Sequence, residues 1–281
     1  MKRIGILKFA ISAVTAIISM VECEAQSTDY MQMADSADYY IAHELWPQAE
    51  MTIKKALRLE PANFNNSLLL SNLGVVLTNL ERYEEALESY NLALSIAPKS
   101  TVAYNNRSRT NLLLGRDDDA LSDLTLSLEI DPLQEWPLQM RGLLLFYQGK
   151  IDDSKEDFSS LLHIAPTNHM AYYGLGLVAE RDGNKEEAQA YYSKSLEIDE
   201  DEEVRAASIF LKLDMGRYSE AAEEIRESLA RNPENPMFYL LRGCLHKLNF
   251  RNEEAEADKK NAIAKGLDSD TVERYFKAIG R

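Results

Sequence analysis

The chain has 281 residues, of which 45% are hydrophobic and 27% charged. This is an ordinary composition for a globular protein that buries a sizeable core. The formal net charge is −15 at pH 7, whereas proteins that bind nucleic acid through its phosphates carry a basic surface. Composition and charge therefore argue against a nucleic-acid partner.

Residues 1–25 have the pattern of a secretory signal peptide. Basic residues precede an uncharged apolar run over 9–21, and Ala25 offers a small residue for cleavage before Gln26. The run is shorter than the ~20 residues that a membrane-spanning helix needs. We expect a protein that is exported, to the periplasm or outside the cell, with no membrane span after cleavage.

Cys23 leaves a lipid-anchored form open as an alternative, because a cysteine after an apolar run can be acylated in bacterial lipoproteins. Glu22 stands where such signals carry a small residue, which disfavours this alternative. After cleavage Cys244 would be the only cysteine left, so no disulfide within the chain could form. We expect packing alone to stabilise the mature protein.

A pattern of two consecutive helices, about 34 residues long, recurs along the rest of the chain. It is clearest over residues 68–98, where a polar joint at 81–83 separates the two helices and Pro98 ends the second. A small residue in the second helix recurs at intervals of 37, 34, 34, 34, 33 and 34 residues, namely Ala49, Ala86, Ala120, Ser154, Ala188, Ala221 and Ala255. A constant period of this length indicates a solenoid of stacked repeats.

The residues of the clearest repeat resemble the signature of the tetratricopeptide repeat (TPR) family: Leu73, Gly74, Ala86, Tyr90, Ala93 and Pro98. The resemblance extends over about residues 30–269. It implies an all-α fold, a right-handed α-solenoid of stacked antiparallel helix pairs (the TPR superhelix) with a C-terminal capping helix. It also implies protein binding, because members of this family mostly bind other proteins.

We predict the signal peptide at 1–25 and the TPR solenoid at 26–281. The seven repeats are expected at about 30–63, 67–100, 101–134, 135–168, 169–201, 202–235 and 236–269, and the capping helix at 270–279. Pairs of acidic residues open most of the second helices, where the positive end of the helix dipole favours carboxylates. Helix architecture therefore accounts for much of the acidic excess.

Five consecutive acidic residues, 199–203, lie at the junction of the fifth and sixth repeats. A charge run of this kind is usually a solvated face. The alternatives are contact with a basic partner and a cation site, although the run lacks the ligand spacing of an EF-hand.

No catalytic constellation is present in the sequence. His43 begins like a zinc-peptidase motif, but Pro47 occupies the place of the second histidine, and the glycines at 174–176 lie inside a helix pattern and are expected to serve packing. His163 and His169 leave a metal site open as an alternative on a weak signal. Since the repeats occupy nearly the whole mature chain, we expect a protein that is not an enzyme and needs no cofactor.

The resemblance implies that the first helices of successive repeats line a concave groove. Its predicted partner-binding side combines amides, guanidinium groups and aromatic rings: Asn72, Asn105, Arg109, Gln139, Phe146, Tyr173 and Arg181. Amides can satisfy the backbone of an extended peptide, and aromatic rings supply anchoring area. For Asn72 and Asn105 the alternative is a structural role, in hydrogen bonds between repeats.

We therefore expect an exported, non-enzymatic scaffold that binds a peptide or protein segment in this groove. The alternatives are an accessory subunit of a cell-envelope enzyme or assembly complex, and a solenoid that binds carbohydrate or metal.

Overall fold

The structure, a computed structural model, describes residues 28–279. The predicted signal peptide at 1–25 lies outside the described residues. All regular elements of the described part are α-helices: α1 (28–42), α2 (Trp46–Leu59), α3 (Asn66–Asn79), α4 (Tyr83–Ile96), α5 (Thr101–Leu113), α6 (Asp117–Ile130), α7 (Glu135–Tyr147), α8 (Ile151–Ile164), α9 (His169–Arg181), α10 (Lys185–Ile198), α11 (Glu202–Asp214), α12 (Tyr218–Arg231), α13 (Pro236–Leu248), α14 (Asn252–Ala264) and α15 (Ser269–Ala278). None of these helices is both long enough and apolar enough to cross a membrane.

The chain forms two compact units. The first unit extends to Pro137 and holds α1 to α6 with the start of α7; the second begins at Leu138 and holds the rest of α7 with α8 to α15. We call the odd-numbered helices α3 to α13 the first helices and the even-numbered helices α4 to α14 the second helices. Each unit consists of packed helix pairs, which confirms the predicted all-α fold.

Contacts inside each unit follow the order of the chain. In the first unit α3 packs on α4 and α5 packs on α6, while the first helices α3 and α5 also contact each other. In the second unit α9 packs on α10 and α13 on α14, while α11 contacts α13. Helix α15 packs on both α13 and α14 and buries Val272 and Phe276, as expected of a capping helix.

The two kinds of helix begin differently. Several first helices have a side-chain cap: Asp201, for example, accepts hydrogen bonds from the backbone N–H groups of Glu203 and Val204 at the start of α11. Second helices lack such a cap and instead carry acidic residues in the first turn, such as Glu84 and Glu85 in α4. The predicted placement of the acidic pairs at helix N-termini is confirmed. Their negative charge is favourable there, because the N-terminal end of the helix dipole is partially positive.

Glycines and aromatic rings interlock where first and second helices cross. A Cβ atom on Gly174 would lie 2.3 Å from the ring of Phe158, and one on Gly176 would lie 2.4 Å from the ring of Tyr192. Both rings are fully buried. No larger residue fits at these two positions without a shift of the ring, which confirms that these glycines serve packing.

Candidate peptide-binding surface

In the first unit the two candidate asparagines bond within the protein. Asn72 Nδ2 donates to Asp38 Oδ1 at 2.9 Å, and Asn105 Nδ2 donates to Gln134 Oε1 at 2.9 Å. Each bond joins a first helix to a neighbouring segment. The Asn72 bond runs between the first and second predicted repeats, whereas the Asn105 bond reaches Gln134 at the end of its own repeat.

Arg109 is the exposed candidate of the first unit. Its guanidinium carbon lies 4.7 Å from the centre of the Trp136 ring, within the range of a cation–π contact. The ring holds this planar cation at the surface of α5, where its remaining N–H groups can meet an acceptor.

In the second unit the four candidates differ in exposure. Gln139 and Phe146 are partly buried on α7, and Arg181 is exposed at the end of α9. The ring of Phe146 meets Tyr147 edge-on, with the ring centres 5.5 Å apart. Tyr173 is only 5% exposed, so little of this residue is open to a ligand.

A cavity of about 570 Å³ opens beside Tyr173. This volume lies in the range of about 300–1,000 Å³ that is usual for ligand sites. Its walls come from α7, α9, α11, α13 and α15 and from the residue before α13. We call it the aromatic-acidic cavity, after its lining: Tyr147, Tyr173, Leu177, Glu180, Glu202, Glu203, Ala206, Ala207, Phe210, Asn235, Met237 and Tyr275.

Neutral hydroxyl groups hold two of the carboxylates that line the cavity. The Tyr173 hydroxyl donates to Glu203 Oε1 at 3.1 Å, and the Tyr192 hydroxyl donates to Glu180 Oε2 at 2.7 Å. Among the described residues that line the cavity there is no lysine or arginine. Hydrogen bonds therefore fix the positions of these carboxylate oxygens, but no cationic side chain among the described lining residues balances their negative charge.

The acidic run at 199–203 divides between structural tasks and the cavity. Asp201 caps α11, and Glu200 Oε2 lies 2.5 Å from Arg231 Nη1. Glu202 accepts a hydrogen bond of 2.7 Å from Asn235 Nδ2, and both residues line the cavity. The last two glutamates of the run thus belong to the cavity wall, whereas the sequence pattern favoured a solvated face apart from the groove.

The carboxylates also act on the hydroxyls around them. Burial raises the pKa of Tyr173, and the neighbouring Glu203 raises it further. Burial likewise raises the pKa of Tyr275, to which Glu180 and Glu203 contribute. The negative potential of Glu203 therefore reaches Tyr173 on α9, and that of Glu180 and Glu203 reaches Tyr275 on α15.

Histidines and acids do not form a metal site in the part of the chain that the structure describes: no group of three or more His, Cys, Asp or Glu side chains there is arranged to hold an ion. His169 Nε2 lies 3.7 Å from Asp199 Oδ2. His163 is exposed in the last turn of α8.

Of the lining residues, only Tyr173 belongs to the set predicted from the sequence. The repeat register contained a signal for several of the others. Leu177 and Phe210 lie 68 and 101 residues after Arg109, at equivalent places on later first helices, and Glu180 lies 34 residues after Phe146. These three residues occupy the places in later repeats that correspond to Arg109 and Phe146, so the repeat spacing alone indicates them.

Two family models match the sequence, and both describe a tetratricopeptide repeat. One matches residues 140–203 and 211–264, and the other matches residues 65–132. The matched segments together make up more than half of the chain. No curated protein shows significant similarity to the sequence.

Solved structures share the fold. A tetratricopeptide repeat protein from Parabacteroides merdae is 26% identical and has a TM-score of 0.72, over 89% of this chain and 98% of its own. The Pseudomonas aeruginosa pilF structure is 17% identical with a TM-score of 0.62, over 76% and 96%. YrrB, a TPR protein with an unusual peptide-binding site, is 20% identical with a TM-score of 0.53, over 61% and 87%.

Proposed function

Since this chain belongs to the tetratricopeptide repeat family, whose members are generally scaffolds for protein–protein interaction, we propose that it is a non-enzymatic scaffold that binds a peptide or protein segment on the first helices of its second unit. The aromatic-acidic cavity carries this proposal. It is a concave site lined by four aromatic residues and a few placed polar groups, Asn235 among them, which is the usual make-up of a binding site.

Aromatic side chains at such a site give a partner segment large contact area. Tyr147 is 70% exposed, so its ring can cover a bound segment without a rearrangement of the core. The similarity in fold to YrrB supports peptide binding, because that protein is a TPR protein with a peptide-binding site. In this proposal Gln139 on α7 and Arg181 on α9 contact the same partner, and the surface of α5 around Arg109 is a separate proposed contact surface of the first unit.

We also propose that the protein is exported, to the periplasm or outside the cell, with loss of residues 1–25. The basic start, the apolar run and Ala25 support this proposal. Mass spectrometry of the protein from its native cells should find Gln26 as the first residue. An intact N-terminus on cytoplasmic protein would contradict export, and an acylated Cys23 would favour the lipid-anchored alternative.

Site-specific photo-crosslinking tests the binding proposal. A photoreactive phenylalanine analogue at Tyr147 should crosslink to a partner protein, whereas the same analogue at Phe250 should not. Phe250 is a matched control because it is 89% exposed and lies in the turn between α13 and α14. Equal crosslinking at both positions, or crosslinking at Phe250 alone, would exclude the cavity as the binding face.

The identity of the crosslinked partner separates the remaining alternatives. An enzyme or an assembly component of the cell envelope would make this protein an accessory subunit of that complex. A free peptide or the unfolded segment of a secreted protein would support the scaffold as proposed.

A further inference from the structure

We propose that the aromatic-acidic cavity binds the cationic side chain of a lysine or arginine in the partner segment. This inference rests on the proposed function and specifies the chemistry of the group that the same site takes. Three observations support it: carboxylates with no cationic side chain among the lining residues, aromatic rings around them, and paired charges at a second cavity of the same unit.

The carboxylates are arranged at two depths. Glu202 and Glu203 are exposed at the rim, and Glu180 is partly buried below them. Their hydrogen-bond donors are hydroxyls and amides, which fix the oxygens in place but bring no positive charge. A cation that enters the cavity therefore meets preoriented acceptors, and the attraction is stronger below the rim, where less water screens the charges.

The rings add a second source of attraction for a cation. Phe210 and Tyr275 meet at 75° with their centres 4.9 Å apart, so they form a corner that presents a ring face as well as an edge. Tyr147 stands at the opening. A lysine or arginine head group over such faces gains a cation–π interaction, and this protein already makes that contact between Arg109 and Trp136.

A second cavity in the same unit differs, because its charged side chains are paired. It has a volume of about 500 Å³ and lies between α12 and α13. Its arginines are all paired with carboxylates: Arg226 with Glu223, Arg242 with Asp258 and Arg251 with Glu254. Charges at that cavity are satisfied within the protein, whereas those at the aromatic-acidic cavity lack a cationic partner among its described lining residues.

The alternatives for the occupant fit less well. An acidic side chain would meet three carboxylates of like charge. A neutral sugar could stack on the rings but would leave the carboxylate charge unbalanced. A lysine or arginine side chain satisfies both sets of groups, with its aliphatic stem against Leu177 and Met237 and its charged head at the carboxylates.

The experiment uses the mature protein and a bead-displayed library of random heptapeptides. We expect lysine or arginine to be enriched at one position of the selected peptides. Replacement of that residue by norleucine, which keeps the stem and removes the charge, should weaken binding of the selected peptide about tenfold or more.

A pair of variants tests whether the cavity is the site. The double substitution Glu180→Gln with Glu203→Gln removes two charges and keeps an oxygen acceptor for each tyrosine, so it should weaken the same peptide about tenfold or more. The matched control is Glu197→Gln with Glu227→Gln, which changes two exposed residues on the second helices α10 and α12. This control has the same net charge and should bind within about twofold of the wild type.

The outcomes separate this inference from the proposed function. Selected peptides without a cationic residue, or binding that survives the cavity substitutions, would overturn the cation site and leave the scaffold standing. A neutral oligosaccharide whose binding is blocked by the selected peptide but insensitive to both double substitutions would also overturn it. Failure to select any peptide, together with no crosslink at Tyr147, would overturn the proposed function and this inference with it.

Discussion

The Tyr173 hydroxyl donates a hydrogen bond of 3.1 Å to Glu203 and so ties α9 to α11 at the cavity wall. The Tyr173 ring packs against Tyr192, with the ring centres 6.0 Å apart, and the hydroxyl of Tyr192 holds Glu180. Two packed tyrosines thus position two carboxylates, one at the rim and one below it. Side chains of the packed core thus set the geometry of the proposed binding site.

The substitution Tyr173→Phe should separate the role of the hydroxyl from the role of the ring. It removes the hydroxyl that orients Glu203 and keeps the ring that packs against Tyr192. We expect the affinity for a cationic peptide to fall about three- to tenfold, the size of one hydrogen bond. Fluorescence anisotropy would measure the affinity, and circular dichroism should show an unchanged helical signal. Unchanged affinity would mean that Glu203 needs no orientation from Tyr173.

Glu180 should make binding at the proposed site depend on pH. Burial raises its pKa above the ordinary value of 4.5, with Asp214 adding to the effect, while the Tyr192 hydrogen bond and Lys185 oppose it. A carboxylate is charged only above its pKa, so Glu180 loses its charge at a higher pH than an exposed glutamate does. We expect the affinity for a cationic peptide to fall between pH 7 and pH 5, and this fall to be smaller in Glu180→Gln. An identical pH profile in both proteins would exclude Glu180 from the site.

Acidification should have the opposite effect on the contribution of Glu180 to folding stability. Because its pKa is raised in the folded protein, protonation of Glu180 favours the folded state, and its contribution to the free energy of unfolding increases as the pH falls through this range. In urea denaturation, Glu180→Gln should therefore gain most over the wild type at pH 7 and progressively less towards pH 5. A gain that grows on acidification would contradict this assignment.

The helix pairs could be predicted because each repeat uses the same packing. A fixed period places a small residue against a neighbouring helix every time, as at Ala120 and Ala188, both fully buried. The family resemblance rested on these positions, and the family models match the same segments of the chain. Regularity of packing is thus the part of the structure that sequence periodicity records.

The cavity could not be predicted in this way, because it arises where the repeats depart from their pattern. One position of the repeat is occupied in turn by Asn105, Gln139, Tyr173 and Ala206, at intervals of 34, 34 and 33 residues. Only at the last two of these places does an aromatic side chain in one repeat precede a small side chain in the next. Tyr275 also lines the cavity, from a helix outside the repeats. The volumes of individual side chains and the placement of α15 determine this site, and the repeat period of the sequence records neither of them.

The contact between Gly174 and Phe158 should limit substitution at that glycine. In Gly174→Ala the new methyl group would meet the ring at 2.3 Å, and we expect a loss of about 1–3 kcal/mol in the free energy of unfolding. Combination with Phe158→Leu, which shortens the partner, should cost less than the sum of the two single changes. Additive losses in urea denaturation would show that the two residues do not compete for the same space.

Arg141 and Asp157 form a partly buried ion pair between α7 and α8. The guanidinium group donates to both carboxylate oxygens, at 2.8 and 2.6 Å, and the Asp157 side chain is 4% exposed. Arg141→Met should leave this carboxylate without its partner and reduce the free energy of unfolding by about 3 kcal/mol. Glu223→Gln, at the exposed pair with Arg226, is the control and should change little. Equal effects would show that burial does not matter at Asp157.

Methyl NMR tests most directly the claim that a cationic side chain enters the aromatic-acidic cavity. Met237 lines the cavity, and Met51 is 54% exposed on α2 of the first unit. With ¹³C-labelled methionine methyl groups, assigned through Met237→Leu and Met51→Leu, addition of a selected lysine-containing peptide should shift the Met237 signal and leave the Met51 signal in place. The norleucine version of the peptide at the same concentration should shift Met237 far less. Binding of the lysine peptide with an unmoved Met237 signal would contradict the account.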